Sequence, residues 1–257
     1  MITNQELALQ VVKKILAADY ACAESDFDKV GVTFHLCKEI EGARRFPLPE
    51  KFLAAVTMGK GVVVSCSTDR LQWAHNNLMN FTPEALFYAP ALALMVNFVA
   101  QDNQTIFGPE LKYVCTLDTF QPYSSVEGVE FSIIDAENIR QLYESNRFPN
   151  ALGRQHDPLR PRLIACLAKC NGLIAGLAAA SADCDAMWQV GIDTLSEYRN
   201  RGIGKALVSR LTRALFDIGK LPYYSTYTTN IPSRRIASSL GYKPAWVEIY
   251  SREPTFQ

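Results

Sequence analysis

The sequence predicts an α/β (α+β) protein, with a smaller N-terminal α/β domain over residues 1–127 and a second domain over 128–257 built on a mixed, mostly antiparallel sheet. Three observations carry that expectation. The 257 residues, 48% hydrophobic and 20% charged, have the composition of a packed chain with room for two domains. Short strand-like runs alternate with longer amphipathic segments along the whole length. In the second half two such runs meet at Asn171-Gly172, a strong hairpin signal.

Taken in order, residues 4–17 read as a helix behind Asn4, with Ala8, Val11, Val12, Ile15 and Leu16 at helical spacing. GVTFHLC (31–37) and GVVVSCS (61–67) read as strands, and TDRLQWAHNNLM (68–79) as a helix opened by Thr68 or Asp69. Residues 85–99 read as a buried helix interrupted at Pro90, and LKYVCTL (111–117) as a further strand. TFQPYSSVEG (119–128) is polar, with a proline, two serines and a glycine, and reads as the linker between domains.

VEFSIID (129–135) follows as a strand, AENIRQLYESN as a helix and GRQHDPLRPR (153–162) as a charged loop. RLIACLAKC and GLIAGLAAAS form the hairpin, and MWQVGIDT (187–194) a third strand. SEYRNRGIG is a loop leading into the helix KALVSRLTRALFDIG, then come the strand PYYSTYTT, the short helix IPSRRIASSL and a last strand after Gly241-Tyr242.

Composition narrows the function classes. Lys+Arg and Asp+Glu both number 26, so no general pull toward nucleic acid or an anionic membrane follows. The longest apolar run, Ala85 to Val96, is too short to span a bilayer, and the N-terminus lacks the build of a signal peptide. The seven cysteines are scattered with no CxxC and no histidines at metal-finger spacing, which points to reduced, buried thiols in a cytoplasmic protein without a metal.

The informative stretch is Arg199-Asn200-Arg201-Gly202-Ile203-Gly204-Lys205, joining a strand to a helix with apolar face Ile203, Leu207, Leu211, Leu215 and Ile218. Two glycines let the backbone turn sharply and approach a ligand. The first N–H groups of the helix and its positive dipole end suit a phosphate or pyrophosphate. A turn-only role for the glycines is the competing reading. GxxxxGK[ST] is absent, and a dinucleotide fingerprint would need a third glycine inside a βαβ unit.

R-x-x-G-x-G after an antiparallel hairpin and a strand resembles the acyl-CoA-binding motif of the GNAT N-acetyltransferase superfamily, over about residues 128–257. MWQVGIDTLSEYRNRGIGKALVSRL and PYYSTYTTNIPSRRIASSLGYKPAW look like a group of two-domain bacterial GNAT proteins, in which an N-terminal α/β portion of unassigned role precedes the transferase domain. The resemblance implies a GNAT fold and acetyl-CoA as cosubstrate. It implies that backbone N–H groups of Asn200, Arg201, Gly202, Ile203, Gly204 and Lys205, with Arg199 beside them, hold the CoA pyrophosphate. Ile192 and Thr194 would offer backbone groups to the pantetheine, and Asn230 and Ser233 would contact the same arm. Asn230 before Ile231-Pro232 also reads as a helix cap, and the two roles are compatible.

Such a reaction needs a neutral amine, a polarised thioester carbonyl and a proton for the leaving thiolate. Asp193, on the face of its strand shared with Gln189 and Gly191, is the base candidate; the alternative is a structural Asp satisfied by backbone N–H groups or by an arginine such as Arg160. Many family members carry an acid tyrosine seven residues after the asparagine, where this chain has Ala237. Tyr227 is the acid candidate retained, with Tyr224 and Tyr242 as other substitutes, and packing aromatics as the competing reading for all three.

Arg154, His156, Arg160 and Arg162 would form an acceptor loop or a solvated, acid-paired one. The expected reaction moves acetyl from acetyl-CoA to a primary amine, on a small molecule or a peptide, by direct attack. The alternative is an acyl-CoA-binding regulatory module with little turnover. Neither nucleic acid nor membrane is expected as a partner, and a homodimer is compatible with the sequence.

Overall fold

The computed structural model describes residues 2–46, 48–123 and 126–254. Its elements, in chain order, are helix α1 (Gln5–Asp19), strands β1 (Gly31–Leu36), β2 (Leu53–Thr57) and β3 (Gly61–Cys66), helices α2 (Thr68–Leu78) and α3 (Ala89–Val99), and strand β4 (Thr105–Val114). Then come β5 (Val129–Asp135), α4 (Ala136–Leu142), α5 (Pro149–Leu152), β6 (Arg162–Cys170), β7 (Leu173–Ser181), β8 (Met187–Thr194), α6 (Ile203–Asp217), β9 (Leu221–Tyr227), α7 (Ile231–Ser239) and β10 (Lys243–Arg252).

Two compact units result: Met1–Leu9 with Tyr113–Thr226 and Asn230–Pro244 form one, and Gln10–Lys112 with Tyr227–Thr229 and Ala245–Gln257 form the other. A single cut at 127/128 does not describe this division. Val247–Tyr250 of β10 pair antiparallel with β2, so the end of the chain completes the sheet of the second unit. The backbone N–H of Asp118 bonds the carbonyl of Thr3, which fastens the first residues to the first unit. No local pattern announces either pairing. Of the linker, Ser124 and Ser125 lie outside the described residues.

In the first unit the strands run in the order β9-β8-β7-β6-β5. β5, β6, β7 and β8 pair antiparallel with their neighbours, while β8 and β9 are parallel, so the sheet is mixed and mostly antiparallel. The β6–β7 turn has φ of +50° at Asn171 and +78° at Gly172, the two positive values that a two-residue hairpin turn needs. Side-chain alternation divides the sheet between two cores. Ala165, Leu167, Leu177 and Ala179 pack with Ile139, Phe148, Ala151 and Leu152 of the α4–α5 region. On the other face α6 lies so close that a Cβ on Gly176 would sit 2.9 Å from Leu207.

The second unit orders its strands β1-β3-β2-β10-β4, with β1 and β3 parallel and β2 antiparallel to β3. Val62, Val64 and Leu53 pack with Ala74, Leu78, Ala91, Met95 and Val99 of α2 and α3.

Local differences from the sequence reading have physical causes. Pro90 starts α3 instead of interrupting it, because the first helical turn needs no N–H from a proline. Ser67, not Thr68 or Asp69, is the N-cap residue of α2. β4 begins at Thr105, ahead of the strand read from Leu111, and β2 has no counterpart in the reading because LAAVT carries no alternation.

Candidate active site

β8 and β9 pair over four residues, from Met187↔Leu221 to Val190↔Tyr224. Past that last rung β8 runs on to Thr194 and β9 to Tyr227. Ile192 and Thr194 lie on the stretch beyond it. β8 leads through Arg199 and Asn200 to the start of α6.

Two residues there are left-handed: Asn200 with φ +61° and Gly202, the N-cap position, with φ +81°. The first helical bond runs from the N–H of Ala206 to the carbonyl of Gly202, so the N–H groups of Ile203, Gly204 and Lys205 precede it. A Cβ on Gly204 would lie 3.1 Å from Thr194 Oγ1 and 3.4 Å from Ile236, so this glycine also permits close packing of the loop.

The three cations are placed differently. Arg199 Nε donates to the Thr194 carbonyl at 3.1 Å, Arg201 stands over the Tyr198 ring, and Lys205 Nζ lies 4.7 Å from the centre of the Tyr123 ring. Tyr123 is a neighbour that the sequence reading missed. Its hydroxyl lies 2.8 Å from where a Cβ on Gly202 would be, and its N–H donates to Ser209 Oγ at 2.8 Å. Nothing in the polar stretch 119–128 marks one tyrosine as the one that folds back.

Asp193 sits on the opposite face, toward α5. Its carboxylate accepts from the backbone N–H groups of Asn150 and Ala151, each at 2.8 Å, and from Asn150 Nδ2 at 2.6 Å. Burial pushes its pKa up, and the hydrogen bonds from Ala151 and Asn150 oppose the rise. The alternative in the sequence reading, an Asp satisfied by backbone N–H groups, describes this geometry: Asp193 caps the start of α5. Gly191 makes it feasible, since a Cβ there would lie 2.2 Å from the Asn150 carbonyl oxygen. A glycine inside a strand is the signal that could have pointed to α5.

Beside α5 a cleft of about 370 Å³ is lined by Leu142, Tyr143, Phe148, Pro149, Leu152 and Arg154, among others. The 153–162 loop is partly self-paired: Asp157 accepts from the Leu159 N–H and from Arg160 Nε, and Arg162 donates to the carbonyls of Ala151 and Arg160. His156 meets the Tyr143 ring edge-on.

Asn230 caps α7, accepting from the Ser233 N–H at 3.2 Å. Ala237 is fully buried, and Tyr227 at the end of β9 is 43% exposed. Tyr242 shares a 2.6 Å hydrogen bond with Thr212 Oγ1. Tyr224 is 2% exposed, and its ring meets that of Tyr242 edge-on at 5.8 Å. Glu197 is exposed. All seven cysteines are free, and burial pushes the Cys166 thiol up to about 12, far from a nucleophilic thiolate. Among the described residues no group of three or more His, Cys, Asp or Glu could hold a metal ion, and no helix is long and apolar enough to cross a membrane.

Residues 130–246 match the family model of the GNAT acetyltransferases. No curated protein matches the chain. Solved structures with a similar chain course include a GCN5-related N-acetyltransferase-like protein from Streptococcus suis, at 20% identity over 63% of this chain and 68% of that one, TM-score 0.44. A putative GNAT-family acetyltransferase from Novosphingobium aromaticivorans is 19% identical over 60% and 69%, TM-score 0.43. A GCN5-related N-acetyltransferase from Sphaerobacter thermophilus is 13% identical over 100% and 96%, TM-score 0.49. The part of this mixed α/β chain from residue 130 to residue 246 is thus similar to the GNAT acetyltransferases, the family whose model it matches.

Proposed function

We propose that the protein is an N-acetyltransferase that moves an acetyl group from acetyl-CoA to a primary amine by direct attack. One observation supports this most: β8 and β9 stop pairing at Val190↔Tyr224, next to a helix start whose N-cap glycine is left-handed. An elongated ligand with an amide-bearing arm and a pyrophosphate fits residues so arranged. The backbone of Ile192 and Thr194 would accompany the arm, with Asn230 and Ser233 across it. The N–H groups of Ile203, Gly204 and Lys205, with the positive end of α6, would hold the pyrophosphate. The cosubstrate supplies the acyl group as a thioester.

On the acceptor side, Asp193 fixes α5 and thereby one wall of the cleft at Leu142–Arg154. An aromatic and aliphatic lining with Arg154 at its edge suits a small amine carrying an apolar portion or an anionic group.

The test is calorimetric titration of CoA into the wild type and Gly202→Asp, followed by thiol release from acetyl-CoA with a panel of primary amines. CoA should bind the wild type, and Gly202→Asp, which puts bulk and negative charge at the loop, should weaken binding at least about tenfold, in keeping with a strong charge-assisted contact. Undiminished affinity in the variant sinks the site assignment. CoA binding with no thiol release for any amine would favour the non-catalytic binding module, a reading that the buried Ala237 keeps in view.

A further inference from the structure

Residues 119–123 follow β4 and come before the stretch that the family model matches. They are nonetheless fastened to the elements around the loop. The Phe120 ring meets the Phe216 ring edge-on at 5.6 Å, near the end of α6. The Gln121 N–H donates to the Leu240 carbonyl at 3.0 Å, and Gly241 leaves the room for it, since a Cβ there would run into the Thr119 carbonyl oxygen. The Tyr123 N–H donates to Ser209 Oγ in the middle of α6, and the side chain reaches on to Gly202 at its start. From Phe216 through Ser209 to Gly202, this short strap runs back along the helix to the loop.

At that end the half-buried Tyr123 side chain brings two things the loop does not hold by itself. Its hydroxyl lies 2.8 Å from where a Cβ on Gly202 would be, and no described residue accepts a hydrogen bond from it. Its ring lies 4.7 Å from Lys205 Nζ, and the negative face of an aromatic ring holds a cation in place. The N–H groups of Ile203, Gly204 and Lys205 precede the first helical bond within the next three residues. An anion bonded to them would meet an uncommitted O–H donor beside Gly202 and an ammonium held on the same ring. Hydrogen bonds to a phosphate are charge-assisted, so one added donor changes affinity measurably.

We infer that the Tyr123 hydroxyl donates to the pyrophosphate of the bound acyl-CoA, while its ring holds Lys205 beside the same phosphates. The inference rests on the acyl-CoA reading of the site and adds to it a side-chain contact that the loop motif does not contain. Backbone donors and a helix dipole serve any phosphate at such a start. The Tyr123 donor makes affinity for the cosubstrate depend on the placement of residues 119–123, outside the family-matched stretch.

The experiment titrates CoA and dephospho-CoA, which keeps the pyrophosphate and lacks the 3′-phosphate, into the wild type, Tyr123→Phe and Tyr123→Ala by calorimetry. The melting temperature of each ligand-free protein is recorded alongside. Tyr123→Phe keeps the ring, so it should weaken both ligands alike by about tenfold, the size of one hydrogen bond to a charged group, at an unchanged melting temperature. Tyr123→Ala, which also releases Lys205, should weaken both further. Undiminished CoA affinity in Tyr123→Phe overturns the inference. So does a loss confined to CoA, which puts the hydroxyl on the 3′-phosphate, and so does tighter binding by Tyr123→Ala, which marks the ring as an obstruction. A lowered melting temperature in Tyr123→Phe marks a packing role and overturns it as well. A wild type that binds neither ligand overturns the acyl-CoA reading itself, and this inference with it.

Discussion

At the scale of single residues, Asp193 shows how a functional and a structural role separate. A carboxylate in an apolar strand reads equally as a base or as an anchor, and its three donors from Asn150 and Ala151 show it at work as an anchor. Asp193→Asn would turn an amide NH2 toward backbone donors, leaving at least one N–H without an acceptor. A loss of about 1–3 kcal/mol in unfolding free energy is expected by chemical denaturation. A variant with unchanged stability and a reduced rate of acetyl transfer would instead mark a base. Gly202→Ala combines a φ of +81° with a Cβ 2.8 Å from the Tyr123 hydroxyl, so it should cost about 1 kcal/mol even without ligand. The glycines and the arginines of 199–205 were legible in the sequence because a loop motif is local. Tyr123 was not, because its place over Gly202 depends on where the chain crosses after β4.

At the scale of elements, α7 and the β6–β7 hairpin carry their own instructions. Asn230 ahead of Ile231-Pro232 predicts a capped helix start, and the Ser233 N–H bond at 3.2 Å is that cap. Asn230→Ala should lower stability by about 1 kcal/mol, measured by urea unfolding. It should also weaken CoA binding if the same side chain contacts the cosubstrate, whereas a cap-only role leaves affinity intact once the protein is folded. Gly172→Val, placing a β-branched residue at φ +78°, should cost about 1–2 kcal/mol. Elements without local signals were the ones missed. α5 is four residues long, held by a carboxylate 43 positions away, and β2 is a strand with its first four residues buried and no alternation.

At the scale of the whole molecule, the equal count of acidic and basic residues hides an uneven placement. In the second unit Arg44 bonds Asp19 and Glu248, and Lys112 bonds Glu110 and Glu248, with Trp246 donating to Glu248 and Tyr250 to Glu110. Arg44 and Lys112 hold the Glu248 carboxyl well below its ordinary value against the effect of burial, whereas burial pushes Asp19 up in spite of Arg44. A carboxylate held low stabilises the folded state above its unfolded pKa of 4.5, and that contribution is lost as pH falls through the carboxylate range and below. Glu248→Gln should therefore destabilise the protein by about 3 kcal/mol at pH 7 and flatten the acid limb of a melting-temperature profile below pH 5. A variant with the wild-type acid limb would contradict the assignment.

By itself the sequence determined most of the elements, the hairpin and the left-handed glycine before α6, because periodicity, turn chemistry and a loop motif each act within a few residues. The tertiary structure alone decided what distant segments do to one another. It put β10 against β2, gave Asp193 its partners and gathered the charges around Glu248. Burial and hydrogen-bond satisfaction are properties of packed neighbours, and neighbours far apart in the chain leave no local pattern to read.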